Sequence, residues 1–169
     1  TKVIQALNEL ESHWAVMKKS PSMPPGANTI NPAVIEGGRH PAFIADECRL
    51  WITVHYLPNE RYEDVVEEIE DYLNRVAEAD VWMRENPLEF EWGGASMIED
   101  KGEIFPSFTV PIEHPGFKQL EDAHQHVHGS ALRHGMSTTV TDGGWIAHFD
   151  IPTILYGPGS LEEAHSCLL

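Results

Sequence analysis

Val3, Leu7, Leu10, Trp14 and Met17 recur at spacings of four, three, four and three, the period of one helix face, and predict a helix over residues 2–18 with Lys18 and Lys19 at its C-terminus. Residues 20–28 carry three prolines and a glycine and read as a loop. Residues 29–35 are rich in β-branched side chains and predict a strand, which Pro32, lacking an amide hydrogen, confines to an edge or a bulge. Beyond Gly37-Gly38, the residues Cys48, Leu50, Ile52, Val54 and Tyr56 alternate with Arg49, Trp51, Thr53 and His55, the pattern of a strand buried on one face, and Cys48 reads as a core residue on it. After Asn59, Val65, Val66, Ile69, Tyr72, Leu73 and Val76 make the stripe of a second helix, on which Glu63, Glu67, Glu68 and Glu70 read as a mostly solvated face rather than a metal cluster. Leu88, Phe90 and Trp92 alternate with Glu89 and Glu91 in a further half-buried strand before Gly93-Gly94.

The order helix, strand, strand, helix, strand is the split β-α-β, ferredoxin-like arrangement lacking its first strand. The simplest repair is a strand upstream of Thr1, so the chain is expected to be a piece of something longer. From His114 the texture becomes a short α/β series. Phe117, Leu120, His124, Val127 and Ala131 form a helical stripe; residues 137–140 predict a short strand; Thr141-Asp142-Gly143-Gly144 turns into a brief helix; residues 151–156 predict a strand; and Gly157-Pro158-Gly159 opens a last helix. The fold class is therefore α/β: an α+β lid of split β-α-β type, then part of an α/β domain. So short a series cannot cover both faces of a parallel sheet, and its elements call for a larger sheet.

Composition narrows the classes of function. Of 169 residues, 41% are hydrophobic and 22% charged, as in a globular chain, and no apolar run approaches the roughly 20 residues that span a bilayer. A net charge of −16 repels phosphate backbones and anionic lipid surfaces, so neither nucleic acid nor membrane is an expected partner. Two cysteines, Cys48 and Cys167, fit a reducing compartment, the cytoplasm, although the absence of an initiator Met leaves targeting upstream of Thr1 unread.

Two groups of residues invite chemistry. Within His124, His126, His128 and His134, i, i+2 neighbours splay apart on a helix, so only His124 and His128 have the spacing of two ligands on one face; they read as a solvated or half-packed helix. The segment from Ile151 through Gly157-Pro158-Gly159 to His165 places a glycine-bounded loop and a histidine past the carboxyl end of a strand, and Thr141-Asp142-Gly143-Gly144 ends the neighbouring one. Open α/β sheets bind ligands at that edge. On chemistry alone His165 is either a structural hydrogen-bonder or a ligand, and Cys167 points away from it.

Asn28-Thr29-Ile30-Asn31 through Gly37-Gly38, Asp46-Glu47-Cys48-Arg49-Leu50, Leu57-Pro58, Thr141-Asp142-Gly143 and Gly157-Pro158-Gly159 to Ala164-His165 together resemble the zinc-dependent amidohydrolase and exopeptidase family of acetylornithine deacetylase, succinyl-diaminopimelate desuccinylase and aminoacylase. The match runs over essentially the whole chain in the family's order. The resemblance implies that residues 1–112 are most of a lid, or dimerisation, domain and residues 113–169 the start of the returning catalytic segment. It implies two zinc ions in the intact protein, with cobalt or manganese as substitutes, and His165 as one metal ligand. Thr141, Gly157, Pro158 and Gly159 match positions near bound substrate. No catalytic residue of the family has a counterpart here, so the chain alone is expected to be inactive. The implied activity is hydrolysis of the amide bond of an N-acyl amino acid, in the manner of acetylornithine deacetylase, or of a small peptide, by a homodimer joined through the lid. Ala42 stands where some relatives carry Asn, and His55 where many carry Arg, both positions that touch the substrate end. The alternative is a stand-alone, non-catalytic dimerisation or binding module.

Overall fold

The structure, a computed structural model, describes residues 1–18, 27–93 and 104–157. The chain divides into two compact units, Thr1–Ile104 and Phe105–Leu169.

In the first unit, helix α1 (Lys2–Met17) buries Ala6, Leu7, Leu10 and Trp14 along its apolar stripe. It ends at Lys18, whose backbone N–H donates to the Trp14 carbonyl at 2.8 Å and whose ammonium lies 4.0 Å from the centre of the Trp14 ring. A cation is favourable at a helix C-terminus and over an indole face alike. Strands β1 (Thr29–Gly37) and β2 (Cys48–His55) pair antiparallel from Thr29 opposite His55 to Gly37 opposite Cys48. The register shifts between Pro32 and Val34, so Ala33 is the extra residue of a bulge beside the proline. Helix α2 (Tyr62–Glu78) buries Val65, Ile69, Leu73 and Ala77 at intervals of four, and Glu63 and Asp64 in its first turn oppose the dipole of its N-terminus. These stripes meet Ile30 in one core, against which Leu50, Ile52 and Val54 pack half-buried.

Two expectations fail here. Cys48 is exposed, not a core residue: at the far end of the hairpin it lies beyond the stretch of β2, Leu50 to Val54, that packs on the core. Residues 88–92 form no strand. Their alternation is real, since Leu88, Phe90 and Trp92 all pack against the core. A ladder, however, needs a partner, and among the described residues the sheet contains β1 and β2 alone.

The second unit holds helix α3 (Pro115–His128) and the short α4 (Gly143–His148). His114 Nδ1 accepts the Gly116 N–H at 3.1 Å to cap α3, and Pro115 takes the first helical position. Gly129, at φ 68°, closes the helix in the left-handed region, two residues short of Ala131. The expected strands at 137–140 and 151–156 do not form; neither segment pairs in a ladder, and the first bends at Thr139. Ile151, Leu155 and Tyr156 are exposed, as are Trp145, Ile146 and Phe149. The last expected helix lies outside the described residues. Among the described residues, no helix is long and apolar enough to cross a membrane.

Candidate functional site

On the first unit, the outward face of the hairpin ends in a polar pair. Thr29 and His55 are register partners, and Thr29 Oγ1 and His55 Nδ1 share a hydrogen bond of 2.7 Å. The half-buried imidazole is thereby fixed through one nitrogen. Ala42 sits exposed in the connection between the strands, where its N–H donates to His40 Nδ1 at 3.1 Å.

Behind this pair lies a carboxylate hub that sequence reasoning missed. Glu60 Oε2 accepts the side-chain N–H of buried Asn28 at 2.8 Å and the backbone N–H of Leu57 at 2.7 Å, while Oε1 accepts from Lys18 Nζ at 2.6 Å. Lys18 also donates to Glu68 Oε2 at 2.8 Å, and Glu68 Oε1 accepts from Trp14 Nε1 at 2.7 Å. The chain entering β1 and the chain leaving β2 are thus tied at the Thr29 and His55 end to both helices. Glu68 and Glu70, read as mostly solvated, are engaged: Glu70 Oε1 accepts from Trp92 Nε1 at 2.6 Å. The signal in the sequence was the i, i+4 spacing of Trp14 and Lys18 at a helix end, which places a cation and an indole N–H on one face.

Tyr56 is raised above its ordinary pKa chiefly by burial and then by the Glu63 charge; Tyr72 is raised by burial and by Glu9, whose carboxylate accepts from its hydroxyl at 3.4 Å. Asp80 is lowered to about 2 by hydrogen bonding from Lys2 and from the backbone of Met83 and Trp82.

On the second unit, Thr141 Oγ1 accepts the Gly143 N–H at 3.3 Å. A Cβ added to Gly143 would stand 2.9 Å from Phe108 Cζ and 3.2 Å from Thr153 Cγ2, so the Thr141 loop packs beside the 151–156 segment that leads to Gly157. The structure thus brings the loop of Thr141 against the segment carrying Gly157, which is itself exposed. Pro158, Gly159 and His165 lie outside the described residues. The histidine cluster divides: His124 and His128 place their ring centres 4.5 Å apart, whereas His134 Nε2 pairs with Glu121 Oε1 at 2.7 Å. Among the described residues, no three His, Cys, Asp or Glu side chains gather to hold a metal ion.

Comparison with known proteins agrees with the lid-like first unit. Residues 1–81 match the family described as the peptidase dimerisation domain. This match and the relatives that follow are consistent with the amidohydrolase and exopeptidase family that the motifs resemble. Its relatives include a protein of Halalkalibacterium halodurans named N-formyl-4-amino-5-aminomethyl-2-methylpyrimidine deformylase, 62% identical over 165 residues. A Bacillus subtilis protein of the same name is 58% identical over 165 residues. Both alignments cover 98% of this chain and 39% of the relative, so the chain spans about two fifths of their length. No solved structure matches it.

Proposed function

We propose that the chain is part of an amide hydrolase that removes the formyl group from an N-formyl aminomethylpyrimidine. The observation that carries this reading is the identity of 62% and 58% to two proteins named for that deformylation, sustained across 98% of the chain. In the reaction, water adds to the formyl carbon, the C–N bond breaks, the nitrogen leaves with a proton, and formate and the free amine result. Position 55 is in keeping with such a substrate. A guanidinium there suits a carboxylate through two parallel hydrogen bonds. An imidazole held by Thr29 offers one remaining nitrogen, which suits an uncharged heteroaromatic amide better than an N-acyl amino acid. Two zinc ions, or cobalt or manganese in their place, belong to the proposal for the complete protein, with His165 as this chain's contribution. Among the described residues no three-ligand set gathers. A cytoplasmic homodimer joined through the lid completes the reading. The stand-alone binding module is not favoured, because both relatives are named as enzymes.

The test compares kcat/KM of the complete protein on the N-formyl aminomethylpyrimidine and on N-acetylornithine. Preference for the formyl substrate, shifted toward the acyl amino acid by His55→Arg, is expected; preference for N-acetylornithine in the unaltered protein would overturn the reading.

A further inference from the structure

Spacing alone left His124 and His128 as two residues on one helix face; the structure adds their mutual geometry and a tether. Their ring centres stand 4.5 Å apart with the planes inclined by 35°, so the two imidazoles are close neighbours on the helix face. His124 Nδ1 lies 2.9 Å from the hydroxyl of Tyr156, whose ring meets the imidazole edge-on at 5.9 Å. This bond fixes the His124 ring through one nitrogen. When Nδ1 carries the ring proton and donates it to the Tyr156 oxygen, the lone pair resides on Nε2, the arrangement by which an outer partner orients a metal-binding histidine. Glu121, one turn before His124 on α3, is engaged with His134 and leaves the pair to itself. Val127 beside them is exposed, as is His128, while His124 is half-buried.

We propose that His124 and His128 form a two-point chelate for a divalent transition ion of the imidazole-preferring kind, Zn²⁺, Ni²⁺ or Cu²⁺, with water completing the coordination and Tyr156 as the positioning residue. Two neutral nitrogens select against Mg²⁺ and Ca²⁺, which take oxygen ligands. The site is separate from His165 and does not depend on the proposed deformylation.

The test is titration of the 169-residue chain, carrying Cys48→Ser and Cys167→Ser so that no thiolate competes, with NiCl₂ or ZnCl₂ against a chromophoric chelator. One equivalent should bind. His124→Ala and His128→Ala should each weaken binding at least about tenfold, and Tyr156→Phe should weaken it less, through loss of the outer partner. His126→Ala, on the same helix but off the face, and His165→Ala should leave it unchanged. Because His128 is exposed, its replacement leaves α3 intact, which far-UV circular dichroism checks. Absence of bound ion in the parent, equal binding of MgCl₂, unchanged affinity in His128→Ala, or a loss in His126→Ala or His165→Ala matching that in His128→Ala would overturn the proposal.

Discussion

Replacing Glu60 by Ala removes three hydrogen bonds at once, and the structure says what each loss leaves behind. The Asn28 side chain loses its acceptor in a residue only 9% exposed, and the Leu57 N–H loses its acceptor in one 3% exposed. Lys18 keeps Glu68 and the Trp14 ring, so its share of the loss is small. A buried donor left unsatisfied costs about 1–3 kcal/mol. Two of them, with water reaching the vacated space because the Glu60 side chain is itself 17% exposed, give a loss of about 3 kcal/mol. For a unit of this size that lowers Tm by roughly 12–24 °C. Glu60→Gln keeps one carbonyl acceptor and should lose about half as much. Urea denaturation followed by circular dichroism at 222 nm measures both, with Lys18→Met as a partner variant that leaves Asn28 and Leu57 satisfied and should cost about 1 kcal/mol. A loss in Glu60→Ala no larger than in Lys18→Met would show that the two buried donors do not depend on this carboxylate.

Asp80 contributes stability that is fully present above its unfolded pKa and is lost as pH falls through about 4 toward about 2, since its carboxyl is held low in the folded chain; Asp80→Asn should flatten an acid titration of stability in that window, and an unchanged profile would contradict the assignment. Gly144→Ala should be strongly destabilising to the second unit, because its Cβ would stand 1.9 Å from the Pro106 carbonyl oxygen, whereas Gly129→Ala meets open space and should cost only about 1 kcal/mol for the left-handed φ; thermal melts of the two variants decide the order. Cys48, being exposed, should react with a thiol reagent in the native chain as fast as a free thiol, and protection until unfolding would restore it to the core.

Where the hydrophobic period is long and the face well defined, as in α1 and α2, the sequence predicts the helix to within a residue or two and the centre of the buried stripe, whereas Met17, placed on that face at the end of α1, is exposed and Ala6 and Ala77 are buried unforeseen. Pro32 likewise announced the bulge. What the period does not contain is the identity of the hydrogen-bonding neighbour. The alternation of Leu88, Phe90 and Trp92 orients three side chains onto the core, yet whether the backbone is a strand depends on a partner elsewhere in the fold. The same holds at 137–140 and 151–156. Glu60 was illegible for a related reason: three donors from separate elements converge on one carboxylate, and no local spacing encodes that convergence. Thr141 and Gly157 were singled out through motif resemblance alone, and the packing of the Thr141 loop beside Thr153 links their two segments.

Formate and free aminomethylpyrimidine should appear in equal amounts when the complete protein is incubated with the N-formyl amide, with one oxygen of the formate drawn from solvent when the reaction is run in H₂¹⁸O. Mass spectrometry of the reaction mixture measures the formate, its oxygen label and the free amine together. Equal release with solvent oxygen incorporated is the result expected of amide hydrolysis; an unreacted formyl amide in the presence of added zinc, with the folded complete protein verified by circular dichroism, would contradict it.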